Sequence, residues 1–254
     1  MKQILGARID SVGMVDALLA IEQFIKEKSF RQIITLNAEI LYRAQKDEPL
    51  LKLINSADLV TPDGFGVIWA AKHFGEDLPQ RVTGIDLMQE VCRHAVQNDW
   101  RLFLLGGSPG VADIAADNLR EEYPGIQICG SWHGFFSGQE NGARDILRQI
   151  RQAAPDVLFV AMGAPRQEFW IAENREALGQ LVAVGVGGSF DVIAGRVKRA
   201  PEFWQRLHLE WLWRTLREPR RLGRIMVLPL FVLKVLFSKE PRREQHEKQD
   251  NEQE

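Results

Sequence analysis

Along the first 195 residues, short unbroken apolar runs alternate with longer stretches whose apolar positions recur at helical spacing. Residues 14–28 (MVDALLAIEQFIKEK) carry the helical period. IITLN (33–37) reads as a strand and AEILYRAQ (38–45) as the helix after it. DLVTPD (58–63) is a strand ending in a turn, followed by the helix-like GVIWAAKHF. RLFLLGG (101–107) runs into a glycine turn, and VADIAADNLREEY is its helix. IQICGSW (126–132) is a further strand, with a helix over 140–152. DVLFVAMG (156–163) and LVAVGVGG (181–188) have the texture of strands buried on both faces, each followed by a helical segment. Strands alternating with helices predict βαβ units, hence an α/β fold with a mostly parallel sheet covered on both faces. No repeat of fixed period runs through the chain.

After Gly195 the pattern changes. Residues 196–238 are rich in Arg and Trp and read as two or three helices, with Pro201 and Pro219 placed to restart helices. Residues 239–254 are polar and aromatic-free, the composition of a disordered tail. The organisation expected is therefore a body over 1–195, a basic helical appendage over 196–238 and the tail. IMVLPLFVLKVLF (225–237) is too short to span a bilayer, which takes about 20 apolar residues. Its basic lead-in suits an element lying in a membrane interface; packing on the body or on a second subunit is the equal alternative.

Composition narrows the class. Of 254 residues, 45% are hydrophobic and 26% charged, which excludes wholesale disorder and a polytopic membrane protein. The two cysteines, Cys92 and Cys129, exclude a disulfide scaffold and suit a reducing compartment. The first residues lack the apolar core of a signal peptide, so a cytoplasmic location is expected. The net charge of −2 conceals a division. Up to Gly195 there are 18 basic and 25 acidic residues; after it there are 14 and 9. Such asymmetry points to an anionic partner: nucleic acid, a membrane surface or a phosphorylated substrate.

In a parallel sheet, ligands bind beyond the carboxyl ends of the strands, where helix N-termini attract anions. LLGGSPG (104–110), AMGAPRQE (161–168) and GVGGSFD (185–191) are turns of that kind and together favour a phosphate-bearing ligand. None is a Walker A loop or a G-x-G-x-x-G fingerprint, which disfavours a dehydrogenase or epimerase. The histidines have no metal-ligand spacing, there is no D-x-D, and no G-x-S-x-G elbow occurs. No metal or cofactor is therefore expected. TPDGFG (61–66) places Asp63 at a strand end. It reads either as a turn or N-cap aspartate or as a general base at the mouth of a site. TLN (35–37) would set Thr35 and Asn37 beside it if the two strands adjoin. Gln167 and Glu168 fall in a first helical turn that can face the same crevice.

NAEI (37–40), TPDGFGV (61–67), RVTGIDL (81–87), GAPRQE (163–168), GVGGSFDVIAGRVKRAP (185–201) and LEWLWRTLREPRR (209–221) together resemble the WecG/TagA/CpsF glycosyltransferase family, the TagA-type N-acetylmannosaminyltransferases most closely. The resemblance implies a Rossmann-like fold and an inverting, metal-independent transfer. The donor would be UDP-N-acetylmannosamine, or alternatively the corresponding uronic acid or another UDP-hexose. The acceptor would be N-acetylglucosamine on undecaprenyl diphosphate at the inner membrane face, in the synthesis of a cell-surface polymer. It carries the catalytic role to Asp63, with Thr35 and Gln167 beside it, and substrate contacts to Asn37 and Arg81. Gly187, Gly188 and Asp191 would meet the nucleotide, and Phe135 would stack on the base unless it packs in the core. Arg214, Arg221 and Arg224 would reach the diphosphate, the alternative being a solvated or lipid-facing stripe. A peripheral binding module without catalysis is the competing class. With the lipid diphosphate and an acidic membrane surface as partners, nucleic acid is not expected, and a second subunit is an alternative cover for the apolar segment.

Overall fold

The structure, a computed structural model, describes residues 2–136, 142–198, 200–201, 203–204, 213 and 227–238. Arg214, Arg221 and Arg224, and the tail over 239–254, lie outside these residues. The chain opens with an antiparallel hairpin, β1 (Lys2–Ile4) and β2 (Ala7–Ile9), pairing Lys2 with Ile9 and Ile4 with Ala7. Then follow α1 (Met14–Lys26), β3 (Arg31–Leu36), α2 (Ala38–Ala44), α3 (Glu48–Ser56), β4 (Leu59–Pro62), α4 (Phe65–His73) and α5 (Gly84–Asn98). Next come β5 (Arg101–Gly106), α6 (Val111–Glu122), β6 (Gln127–Trp132), α7 (Gly142–Ala153) and β7 (Val157–Ala161). The remaining elements are α8 (Arg166–Glu173), α9 (Arg175–Leu178), β8 (Val182–Gly185), α10 (Ser189–Ile193) and α11 (Val227–Phe237).

Six strands form one sheet in the order β4-β3-β8-β7-β5-β6, every pairing parallel. The α/β, Rossmann-like architecture expected from the sequence is the one observed. Successive side chains alternate between faces. Ile33, Leu59, Leu102, Leu104, Phe159 and Val184 pack with α1, α5, α6 and α10 on one face. On the other, Ile34, Leu36 and Val60 pack with the hairpin, α2, α3, α4 and α11, while Phe103, Leu105, Leu158 and Val160 pack with α7, α8 and α9.

Several elements go beyond the sequence reading. The hairpin was not expected: its strands are three residues each, and its turn is Leu5-Gly6, both at positive φ, rather than an Asn-Gly signal. Helices α3 and α5 are set by their caps, Asp47 accepting from Leu50 N at 3.0 Å and Thr83 from Asp86 N at 3.2 Å. The 225–237 segment is helical over α11 and lies on the body. Phe231 and Val235, one turn apart, are buried against α2 and α4, while Leu230, Leu233, Leu236 and Phe237 stay exposed. No helix among the described residues is long and apolar enough to cross a membrane.

Candidate active site

Parallel pairing puts every strand's carboxyl end at one edge of the sheet, together with the N-terminus of the helix that follows. β3 and β4 do adjoin, pairing Thr35 with Thr61 and Leu36 with Pro62. The chain leaves β4 at Asp63, whose N–H donates to the Leu36 carbonyl at 2.9 Å. Its side chain is half-buried and faces the first residue of α5: Gly84 N lies 3.4 Å from Asp63 Oδ2, the long end of hydrogen-bonding distance. Asp63 does not cap α4. That position belongs to Gly64, which offers no side-chain cap. The aspartate is held by backbone on one side and by a helix N-terminus on the other, with its carboxylate at the carboxyl edge of the sheet.

Thr35 lies below it. It is buried, and its hydroxyl donates to the Gly185 carbonyl at 2.9 Å, clipping β3 to β8. Asn37 terminates β3 as the N-cap of α2, its Oδ1 accepting from Ile40 N at 3.0 Å. The Asn37 amide nitrogen has no hydrogen-bond partner among the described residues. Arg81 is half-buried on the loop before α5, next to Val82, whose N–H donates to the Pro62 carbonyl at 2.8 Å. This places the arginine beside the end of β4, and no ion pair engages it among the described residues.

The turns after β7 and β8 meet. Gln167, in the first turn of α8, is 2% exposed. Its Oε1 accepts from Gly187 N at 3.1 Å and its Nε2 donates to Glu168 Oε1 at 2.8 Å. Gly187 has φ +56, which a side chain would strain, and Gly188 is the N-cap of α10. Asp191 is half-buried on α10. Thus Thr35, Asp63, Gly84, Gln167 and Gly187 form one linked junction across the ends of β4, β3 and β8. Gly84 and Glu168 were not among the site residues expected from sequence. Glu168 was only placed facing the crevice; its burial needs the fold. Gly84 had a local signal, the Thr83-x-x-Asp86 capping pattern.

Phe135 is on the loop after β6. It is 62% exposed, so core packing is not its role; its neighbour Phe136 takes the core position, edge-on to Trp170 at 5.9 Å. The loop is drawn toward the middle of the sheet. Gly134 N donates to Gly107 O at 2.9 Å, and Arg166 Nη2, from the start of α8, donates to Gly134 O at 2.9 Å. Among the described residues, no three His, Cys, Asp or Glu side chains gather as a metal site. Cys92 is a core residue, its thiol pushed up to about 12 by burial.

A model of the glycosyl transferase WecG/TagA/CpsF family matches residues 2–245, spanning every element of this junction. The chain belongs to that family. It is 39% identical over 204 residues to the N-acetylglucosaminyldiphosphoundecaprenol N-acetyl-beta-D-mannosaminyltransferase of Bacillus spizizenii, covering 80% of this chain and 78% of that protein. It is 34% identical over 238 residues to the protein of the same name from Staphylococcus aureus, covering 93% of this chain and 92% of that protein. The protein is thus a glycosyltransferase, a member of the WecG/TagA/CpsF family. In this family member, buried clips (Thr35, Gln167) alternate with half-buried polar side chains (Asp63, Asn37, Arg81) along the carboxyl edge of the sheet.

Proposed function

We propose that this glycosyltransferase moves N-acetylmannosamine from a UDP-linked donor to the N-acetylglucosamine of undecaprenyl-diphosphate-linked acceptor, with inversion and without a metal. The observation that carries the reading is the position of Asp63, a half-buried carboxylate at the carboxyl end of β4, facing the N-terminus of α5 and close in the chain fold to the loop of Arg81. The acceptor hydroxyl oxygen attacks the anomeric carbon from the face opposite the nucleotide. As the new C–O bond forms, the bond to the UDP oxygen breaks, and the hydroxyl proton passes to Asp63. One base and one displacement give inversion.

The departing diphosphate gathers negative charge, which must be met by donors already in place. The N–H groups of the turn at Gly187 and Gly188 and the guanidinium of Arg81 are suited to it, and Arg214, Arg221 and Arg224 are proposed to complete the set. Asn37 contributes its amide nitrogen to a sugar, Asp191 a contact to the nucleotide and Phe135 an exposed face for the base. Thr35 and Gln167 support the site from beneath. The exposed side of α11 is proposed to rest on the inner face of the membrane, where a lipid-linked acceptor is found, with residues 196–238 acting as the appendage. The names of the two relatives support the sugar and the acceptor.

The test is transfer to a lipid-diphosphate-GlcNAc analogue from UDP-N-acetylmannosamine, run beside the uronic acid and UDP-glucose donors. Turnover with UDP-N-acetylmannosamine well above the other two is expected. Preference for another donor would replace the sugar assignment, and no transfer from any of them would refute the reading.

A further inference from the structure

Glu168 takes no part in the chemistry above, yet it is 1% exposed and carries an ionisable group. Burial pushes its carboxyl up to about 7, against the hydrogen bond from Gln167. Its Oε2 has no hydrogen-bond partner among the described residues. Such a group costs stability, so any gain from it lies in what it holds.

What it holds is an amide with two unlike ends. Gly187 N–H donates to this amide, and of the amide's two ends only Oε1 can accept. Glu168 Oε1 offers an acceptor to the other end and draws Nε2 to itself at 2.8 Å, leaving the oxygen for Gly187 at 3.1 Å. Gly185 makes the space: a Cβ there would lie 2.5 Å from Gln167 Nε2 and 3.0 Å from Glu168 Oε1. The same turn of α8 is tied to the sheet, because Gln32 Nε2 donates to the Glu168 carbonyl at 3.0 Å. The relay therefore runs from an anchored carboxyl through an amide to the left-handed glycine between β8 and α10.

We propose that Glu168 is a positioning residue: by accepting from Gln167 Nε2 it orients the Gln167 amide, and so holds the turn from β8 into α10 in the form that receives the donor's diphosphate. The last part rests on the reading of that turn given above. Both protonation states of Glu168 keep an acceptor at Oε1, so the relay does not depend on its charge.

Three variants of the full chain test this. Glu168→Gln keeps an acceptor at the same reach, Glu168→Leu removes it, and Glu168→Asp withdraws it by one methylene. UDP affinity by calorimetry, donor and acceptor KM, and hydrogen–deuterium exchange over residues 182–190 are measured for each. Glu168→Leu and Glu168→Asp are expected to weaken UDP binding and raise donor KM about tenfold, with faster exchange over 182–190 and unchanged acceptor KM. Glu168→Gln should stay within about threefold of the parent in each, because a neutral amide still accepts the bond. Parent-like affinity and exchange in folded Glu168→Asp would overturn the proposal, as would Glu168→Gln as impaired as Glu168→Asp. If Glu168→Leu does not fold, the Asp and Gln variants decide. Failure of the parent itself to bind UDP would refute the nucleotide reading of the turn, while the exchange comparison would still report on the relay.

Discussion

The two ends of the central sheet are built from the same strands and offer a ligand opposite things. At the carboxyl end the N-termini of α2, α4, α5, α6, α8 and α10 converge, presenting N–H groups to polar side chains on short turns. At the amino end α1, α5, α7 and α9 finish, and a cavity of about 730 Å³ opens among Ser29, Trp100, Arg151, Gln180 and their neighbours. Helix carboxyl ends contribute to its rim, where the helix dipole disfavours an anion and a diphosphate needs the reverse, although Lys26, Lys28 and Arg151 also line it. The comparison teaches that polarity of the backbone, set by parallel topology before any side chain is chosen, makes the carboxyl edge the more favourable place for an anionic ligand.

The sharpest way to break the comparison is Asp63→Asn. Loss of a general base should lower transfer roughly 10²–10⁴-fold while UDP binding and folding persist; a fully active variant would remove the carboxyl edge's claim. Phe231→Ala acts on the support of that edge. Phe231 is 1% exposed and its ring lies against Gly66, three residues from Asp63, at 3.7 Å from a Cβ built there. Truncation should cost about 3–5 kcal/mol in denaturant unfolding. A loss below about 1 kcal/mol would mean that α11 is not seated on α2 and α4 in solution.

Glu168 gives a smaller, pH-dependent effect. Its folded pKa of about 7 stands above the ordinary 4.5, so the folded state binds the proton more tightly. The carboxyl's stabilising contribution is full below pH 4.5 and is lost as pH rises through 7. Relative to Glu168→Gln, the parent should lose on the order of 3 kcal/mol across that window. Melts of both proteins at pH 5 and pH 8 measure it, and parallel behaviour would contradict the burial. The smallest effect is expected at the amino end. Gln180→Ala, on the rim of the cavity, should change transfer by less than about twofold, since surface substitutions stay within about 0.5 kcal/mol. A large loss of activity there would reopen the question of which end is used.

Much of this was legible before the fold was known, for stated reasons. A strand buried on both faces must be apolar at every position, so LLG (104–106), VLFVA and VAVG announce themselves without neighbours. The Asp63 turn, the Gly187 turn and the GAPRQE motif could be placed at strand ends by chain order alone. The Leu5-Gly6 hairpin could not, because its non-glycine left-handed residue is tolerated only where Leu5 finds a buried seat, at 5% exposure. Nor could the choice between Phe135 and Phe136, two equal rings of which the loop's tether to Gly107 sends one inward and leaves the other exposed.

Local pattern thus settled most of the element types, the parallel class and the edge where helix N-termini gather, because those follow from side-chain periodicity and backbone polarity within one βαβ unit. Tertiary pairing decided which polar residues there are clips and which face the crevice. Thr35 is spent on Gly185 because β8 lies beside β3, although the two residues are 150 apart in the chain, and Gln167, in the helix after β7, reaches Gly187 because β7 lies on the other side of β8. Hydrogen-bond partners at that separation are fixed by sheet order, and no periodicity along the chain encodes them.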